Sequence, residues 1–174
     1  MLKDLISKPN NKQTILEIID FVGDSPESFT ELMECFIAGS SSVSQTTSWA
    51  LSHIGEQKSE LIAPHHVNLL AQLQDKSKQG AVRRNIVRIY QTCPIPGEIE
   101  GELYEACMGY VLDSKDAIAI KAFSMTVYEQ IALKYPDLIP ELIDAIKSEV
   151  PTGSAGIKNR GMHTINRLKN TNYL

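Results

Sequence analysis

A short apolar pattern returns four times along this chain at nearly constant spacing. It reads Ser48-Trp49-Ala50-Leu51-Ser52-His53-Ile54, then Arg83-Arg84-Asn85-Ile86-Val87-Arg88-Ile89. It returns as Ala122-Phe123-Ser124-Met125-Thr126-Val127-Tyr128 and as Asn159-Arg160-Gly161-Met162-His163-Thr164-Ile165. Counted at Trp49, Arg84, Phe123 and Arg160, successive copies lie 35, 39 and 37 residues apart. Each copy sets a small or short residue before a large aliphatic one, with a further apolar residue three positions on. A fixed period in this range marks a stacked helical repeat. One unit cannot bury its apolar face alone, so neighbouring units stabilise one another. Proteins built this way usually work by surface contact rather than by chemistry in a pocket.

The segments between these copies keep a helical period. Ile15, Leu16, Ile18, Ile19 and Val22 make one apolar face, and Gly23 stops that helix. Asp24-Ser25-Pro26-Glu27 is a helix start, with a capping side chain, a proline for the first turn and a carboxylate for the N-terminal dipole. Phe29, Leu32, Met33, Phe36 and Ile37 follow at helical spacing, and Gly39 closes the first pair. The second pair opens near Ser41. Its first helix carries Val43, Trp49, Ala50 and Ile54 and is expected to end at Gly55. Its second helix, from near Pro64, carries Val67, Leu69, Leu70 and Leu73. Gln79 to Gln91 starts the third pair, which must break at Cys93-Pro94-Ile95-Pro96-Gly97 because two prolines fix φ and remove donors. Ile99, Leu103, Ala106, Cys107 and Tyr110 belong to its partner. Ala117 to Leu133 and Leu138 to Ile146 make the fourth pair, and a single helix runs from about Ser154 to Leu168 after the turn Pro151-Thr152-Gly153. The expected organisation is one domain over 1–174, with repeats at about 11–40, 41–76, 77–113 and 114–150 and a half-repeat at 151–170. Its ends are the polar N-terminal segment and the last helix.

The four copies, with Leu61-Ile62-Ala63-Pro64-His65-His66-Val67 and Tyr135-Pro136-Asp137-Leu138-Ile139-Pro140-Glu141-Leu142 on second helices, resemble the HEAT-repeat α-solenoids over about residues 11–169. The resemblance implies an all-α, right-handed α-α superhelix of about four helix pairs plus a terminal helix. Lys121 and Lys158 sit near where first helices of that family often carry a basic residue; Thr47 and Val82 depart from it. The chain is also similar to short bacterial HEAT-like proteins that have been labelled adenylosuccinate lyase. True lyases carry a signature loop of the form S-S-x-M-P-x-K-x-N-P. The nearest stretch here, Ser41-Ser42-Val43-Ser44, lacks the Met-Pro, the Lys and the Asn-Pro, so no residue of that site carries over.

Other chemistry finds little support. Cys35, Cys93 and Cys107 are odd in number and widely spaced, which fits free thiols in a reducing cytoplasm. His65 and His66 are adjacent and point about 100° apart on a helix, so they cannot grip one ion together; no metal or cofactor is expected. His53 shares a repeat position with Arg88, Val127 and Thr164 and falls at a tolerant site. Thr152-Gly153-Ser154-Ala155-Gly156 could offer N–H groups to an anion but lacks the Walker pattern and reads as an inter-helix turn. Trp49 has Arg84, Phe123 and Arg160 as equivalents, which places it half-buried at the edge of the stack. No signal peptide or membrane-length apolar run is present, so the expected setting is cytoplasmic.

Charge is the more informative feature. By the resemblance, second helices line the concave side of the stack. Opposite their apolar stripes lie His65, Asn68 and Gln72 in one pair, Glu98, Glu102 and Glu105 in the next, and Asp137, Glu141, Asp144 and Ser148 in the third. Spacings of three and four put each set on one face. Residues 151–174 carry Lys158, Arg160, Arg167 and Lys169 and no acid, whereas residues 1–40 carry three lysines against seven acids. The expected function is a non-enzymatic scaffold or adaptor that selects a protein partner electrostatically on this acidic face, as a monomer or closed dimer. A nucleic-acid protein akin to DNA-alkylation repair glycosylases is the alternative that Arg83, Arg84 and Arg88 invite, and the labelled lyase is another. The net charge of −4 and an aromatic share of 6% disfavour the first, because such a groove must be basic and aromatic. Paired acids such as Glu102 and Glu105 could do acid–base work, but no neighbouring pattern suggests a pocket that would shift them.

Overall fold

The computed structural model of the protein describes residues 1–113 and 117–170. Those residues form helices and turns, and they divide into two compact units, Met1–Pro96 and Gly97–Leu174. The division falls at the proline-broken segment that separates the two helices of the third expected pair. The repeat boundary expected at residue 114 lies outside the described residues.

The first unit holds α1 (Leu2–Ile6), α2 (Lys12–Val22), α3 (Pro26–Ala38), α4 (Ser41–Gln57), α5 (Ser59–Ile62), α6 (His66–Gln74) and α7 (Gly80–Ile89). Its turns follow local chemistry. Asn11 Oδ1 accepts the Thr14 N–H at 3.0 Å to start α2, and Gly23, with φ 53°, ends it in a region closed to most side chains. Ser25 Oγ accepts the Ser28 N–H at 3.1 Å, and Pro26 occupies the first turn of α3. The first helices α2, α4 and α7 stack side by side, while α3 and α6 each lean on the following first helix.

The second unit holds α8 (Gly97–Leu112), α9 (Ile118–Lys134), α10 (Ile139–Glu149) and α11 (Ala155–Asn170), with a 3₁₀ turn at Pro136–Leu138 before α10. Here α9 stacks on α11, and α8 on α10, so like helices again pack on like. The repeated pattern explains why. Leu51, Ile86 and Met125 are almost fully buried, as are Ile54, Ile89, Tyr128 and Ile165 three residues on. The small residue before each aliphatic one, Ala50, Asn85, Ser124 or Gly161, is buried too. Gly161 has a steric reason, since a Cβ there would lie 2.7 Å from Ile146 Cγ2 and 3.0 Å from Val150 Cγ2. The fourth aliphatic residue, Met162, is 47% exposed. It sits on the face of α11 that also carries Lys158, Asn159, His163 and Asn166 to solvent.

Several sequence expectations need correction. The N-terminal segment is not a polar lead-in, because α1 buries Leu2 and Ile6 and packs on α2 and α4. Gly55 does not stop α4, which continues to Gln57; the glycine is there for close packing, with a Cβ at that position 3.2 Å from Ile62 and 3.3 Å from Ile89. Leu16 and Val67 face solvent, at 44% and 61% exposed. Helix α4 instead buries hydroxyls: Ser44, Thr46, Thr47, Ser48 and Ser52 are all inside. Ser44, Thr47, Ser48 and Ser52 are tolerated there because their O–H groups donate to backbone carbonyls, Thr47 to Val43 at 2.8 Å and Ser52 to Trp49 at 2.8 Å among them.

Polar bonds one repeat apart reinforce both units. Asn85 reaches Ser48, and Arg88 forms a two-pronged pair with Glu56 at 2.7 and 3.1 Å. In the second unit Arg160 donates to Thr126 at 2.9 Å, and Glu129 accepts from Thr164 at 2.9 Å and Arg167 at 2.6 Å. Lys121, buried on α9, pairs with Glu149 at the end of α10.

Candidate functional site

The nine residues expected to face a partner divide by unit. In the first, His65 closes the 3₁₀ turn after α5 and is half-buried, its ring centroid 5.3 Å from that of Phe29. Burial pulls its pKa below the ordinary imidazole value, so it stays neutral near pH 7. Gln72 is half-buried, and its Oε1 has no hydrogen-bond partner among the described residues. Asn68 is exposed. That stripe is therefore only partly available at the surface.

In the second unit the six acidic residues all reach the surface. Glu98, Glu102 and Glu105 line one side of α8. Asp137 sits in the turn before α10, and Glu141 and Asp144 follow on that helix. Because α8 and α10 stack, the two rows run on neighbouring helices. Lys147 lies 3.8 Å from Asp144 on the same helix. Glu141 does more than face water: Tyr128 O–H donates to Tyr104, and Tyr104 O–H donates to the Glu141 carboxylate. The two tyrosine rings meet edge-on with centroids 4.2 Å apart. Burial, then the bond to Glu141, pushes the Tyr104 phenol up to about 12, and burial raises Tyr128 as well, so both remain protonated donors.

The same unit holds a groove that the sequence did not announce. It has a volume of about 260 Å³ and is lined by Gly97, Glu100, Gly101, Tyr104, Ile131, Tyr135 and Leu138. Gly97, Glu100, Gly101 and Tyr104 fall on one face of α8 by helical spacing. A Cβ on either glycine would meet nothing within 4 Å. Glu100 is 6% exposed. One of its oxygens accepts from Lys134 Nζ, and the other accepts from Tyr135 O–H at 2.7 Å. The Lys134 bond and then the Tyr135 bond hold its carboxyl below the usual carboxylate range, so it is ionised at neutral pH. The sequence presented Glu100 as one acid in a run of four. Only its partners, 34 and 35 residues away, single it out.

Other candidates resolve into structure. Cys93 and Cys107 are buried free thiols, and burial pushes them up to about 11 and about 12; neither is a thiolate at neutral pH. Cys35 is half-buried at a hollow of about 660 Å³ bordered by α1, α3 and α4, and burial raises its pKa too. His66 is buried beside Tyr90, with Nδ1 3.3 Å from the phenol oxygen. Trp49 is half-buried, as its edge position implied. Arg83, Arg84 and Arg88 are half-buried, and Arg88 is committed to Glu56, which weakens the case for a basic nucleic-acid track. No group of His, Cys, Asp or Glu among the described residues could hold a metal ion. No helix among them is long and apolar enough to cross a membrane.

A family model described as HEAT repeat domain matches residues 2–167. The match takes in α1, consistent with the burial of Leu2 and Ile6, and agrees with the all-α repeat class that the fourfold pattern implied. No curated protein and no solved structure matches the chain.

Proposed function

The chain belongs to the HEAT repeat family, and from that premise we propose that it is a non-enzymatic protein-interaction module that binds a basic partner on the second-helix face of its second unit. The observation that supports this most is the pair of exposed acidic rows, Glu98, Glu102 and Glu105 on α8 beside Asp137, Glu141 and Asp144 along the next second helix. Like charges on adjacent helices repel one another. They raise the local concentration of a cationic surface and speed its encounter. The first unit contributes less in this reading, since His65 and Gln72 are drawn into packing and only Asn68 projects.

Affinity capture from native lysate tests it, comparing wild type with Glu98→Lys/Glu102→Lys/Glu105→Lys. Glu141 is left alone because it anchors Tyr104 and Tyr128. The expected result is a partner retained by wild type at low salt, released as salt rises, and lost by the variant. Equal retention by both proteins would move the binding surface elsewhere and overturn the assignment.

A further inference from the structure

We propose that the groove floored by Glu100 is a socket for one arginine side chain of the partner, and that Lys134 occupies the carboxylate until that arginine arrives. The inference rests on the interaction role proposed above and names the chemistry of its central contact.

The groove is a built space rather than a gap between long side chains. Gly97 and Gly101 lie one turn apart on α8, and a Cβ on either would point into open space. Tyr104 and Tyr135 line the groove with Glu100, and Ile131 and Leu138 complete the lining. Aromatic rings beside a carboxylate suit a guanidinium. It stacks on a ring face and donates two parallel bonds to one carboxylate, which an ammonium cannot do.

The charge is in place as well. Glu100 is 6% exposed, yet it opens onto the groove. A carboxylate has about four acceptor sites, and the bonds from Lys134 and Tyr135 occupy one on each oxygen. The Lys134 side chain is 49% exposed. It sits at the last residue of α9 on a long flexible stem. Exchange of Lys134 for a guanidinium leaves the buried carboxylate paired throughout, avoiding the large cost of a bare buried charge. By helical spacing the Glu98, Glu102 and Glu105 row flanks the glycine side of the groove, and Glu141 meets it at Tyr104. An approaching cation is drawn toward the opening from both sides.

The test is an amide NMR titration of the whole chain with N-acetyl-arginine amide, with the citrulline analogue as the uncharged isostere. The expected result is saturable shifts at Gly97, Gly101 and Tyr104, about tenfold weaker for citrulline because the charge-assisted bonds are lost. Gly101→Leu fills the socket and abolishes them, and circular dichroism checks that it folds. Lys134→Met removes the competitor and tightens binding several-fold. Glu102→Gln/Glu105→Gln leaves the shifts at Gly97 and Gly101 in place. Shifts that spread along Glu98, Glu102 and Glu105 and survive Gly101→Leu would overturn the socket while leaving the acidic face as the binding surface. Absence of saturable shifts in both wild type and Lys134→Met would overturn it too. Conversely, a socket that binds arginine while lysine substitutions on α8 leave partner capture unchanged would overturn the acidic-face reading alone.

Discussion

Asn85 Nδ2 donates to Ser48 Oγ at 3.1 Å, a bond between first helices one repeat apart in a site where both residues are almost fully buried. It stands where the repeated pattern calls for a small residue, and Ala50, Ser124 and Gly161 fill the equivalent place. An asparagine fits only because α4 is rich in buried hydroxyls. Ser48 passes its own O–H to the Gln45 carbonyl at 3.0 Å, leaving a lone pair for Asn85.

Asn85→Ala should therefore destabilise the first unit by about 1–3 kcal/mol, the range for losing a buried hydrogen-bonded amide. Ser48→Ala should cost a similar amount, since it leaves the Asn85 amide without that acceptor. Urea denaturation of both single variants and the double variant checks this. The expected coupling is about 1 kcal/mol, and strictly additive losses would show that the bond contributes nothing.

Two helical glycines should respond in opposite directions to the same substitution. Gly161→Ala places a methyl 2.7 Å from Ile146 Cγ2, where α11 approaches α10. The overpacking cost of about 1–3 kcal/mol should exceed the helix-propensity gain of about 1 kcal/mol. Gly101→Ala meets open space and should stabilise the second unit by up to about 1 kcal/mol. Thermal melts of the two variants decide it.

Glu100 should make the second unit sensitive to acid. Its folded pKa is depressed, chiefly by Lys134 and then by Tyr135. The stability it contributes is thus complete above the unfolded glutamate value of about 4.3 and is lost as pH falls through the lower folded value. Wild type should lose stability over that window more steeply than Glu100→Gln. Parallel pH–stability curves for the two proteins would rule the linkage out.

These sites differ in how far the sequence reveals them. The helix starts at Ser25-Pro26 and the break at Pro94-Pro96 were legible because caps and prolines act through neighbouring backbone. The recurring small–large pair was legible because its spacing is fixed by stacking. Gly55 misled because a glycine that ends a helix and one that admits Ile62 and Ile89 look alike in one dimension. Val67 misled because an apolar residue on a short helix after Pro64 depends on where the turn sets its phase. The hydroxyls of α4 are invisible to a hydrophobic pattern, since their burial depends on backbone carbonyls, in α4 for Thr47, Ser48 and Ser52 and at the end of α3 for Ser44. Glu100 is illegible for a related reason: what separates it from Glu98 and Glu102 is contact with Lys134 and Tyr135, and no local spacing encodes that.

Trp49 gives the first unit an optical readout, because it is the one tryptophan in the chain. Its Nε1–H donates to His53 Nε2 at 3.0 Å, which requires a neutral imidazole with its proton on Nδ1, the side facing Glu56 at 3.6 Å. Burial, and then the nearby Arg88, lower the His53 pKa, while Glu56 opposes them. Acidification should thus protonate Nε2 only below the ordinary value of about 6.5, at which point Trp49 loses its acceptor and faces a cation. The sign for stability follows: the unfolded chain takes up the proton first, so the contribution is full above about pH 6.5 and falls away as pH drops through the folded value. Trp49 emission should change in a single step with its midpoint below that of a free histidine. Arg88→Met should move the midpoint upward by removing the neighbouring positive charge, and His53→Gln should abolish the step. A wild-type midpoint at or above 6.5, or one that ignores Arg88→Met, would show that this cluster is too open to water for Arg88 to act on the imidazole.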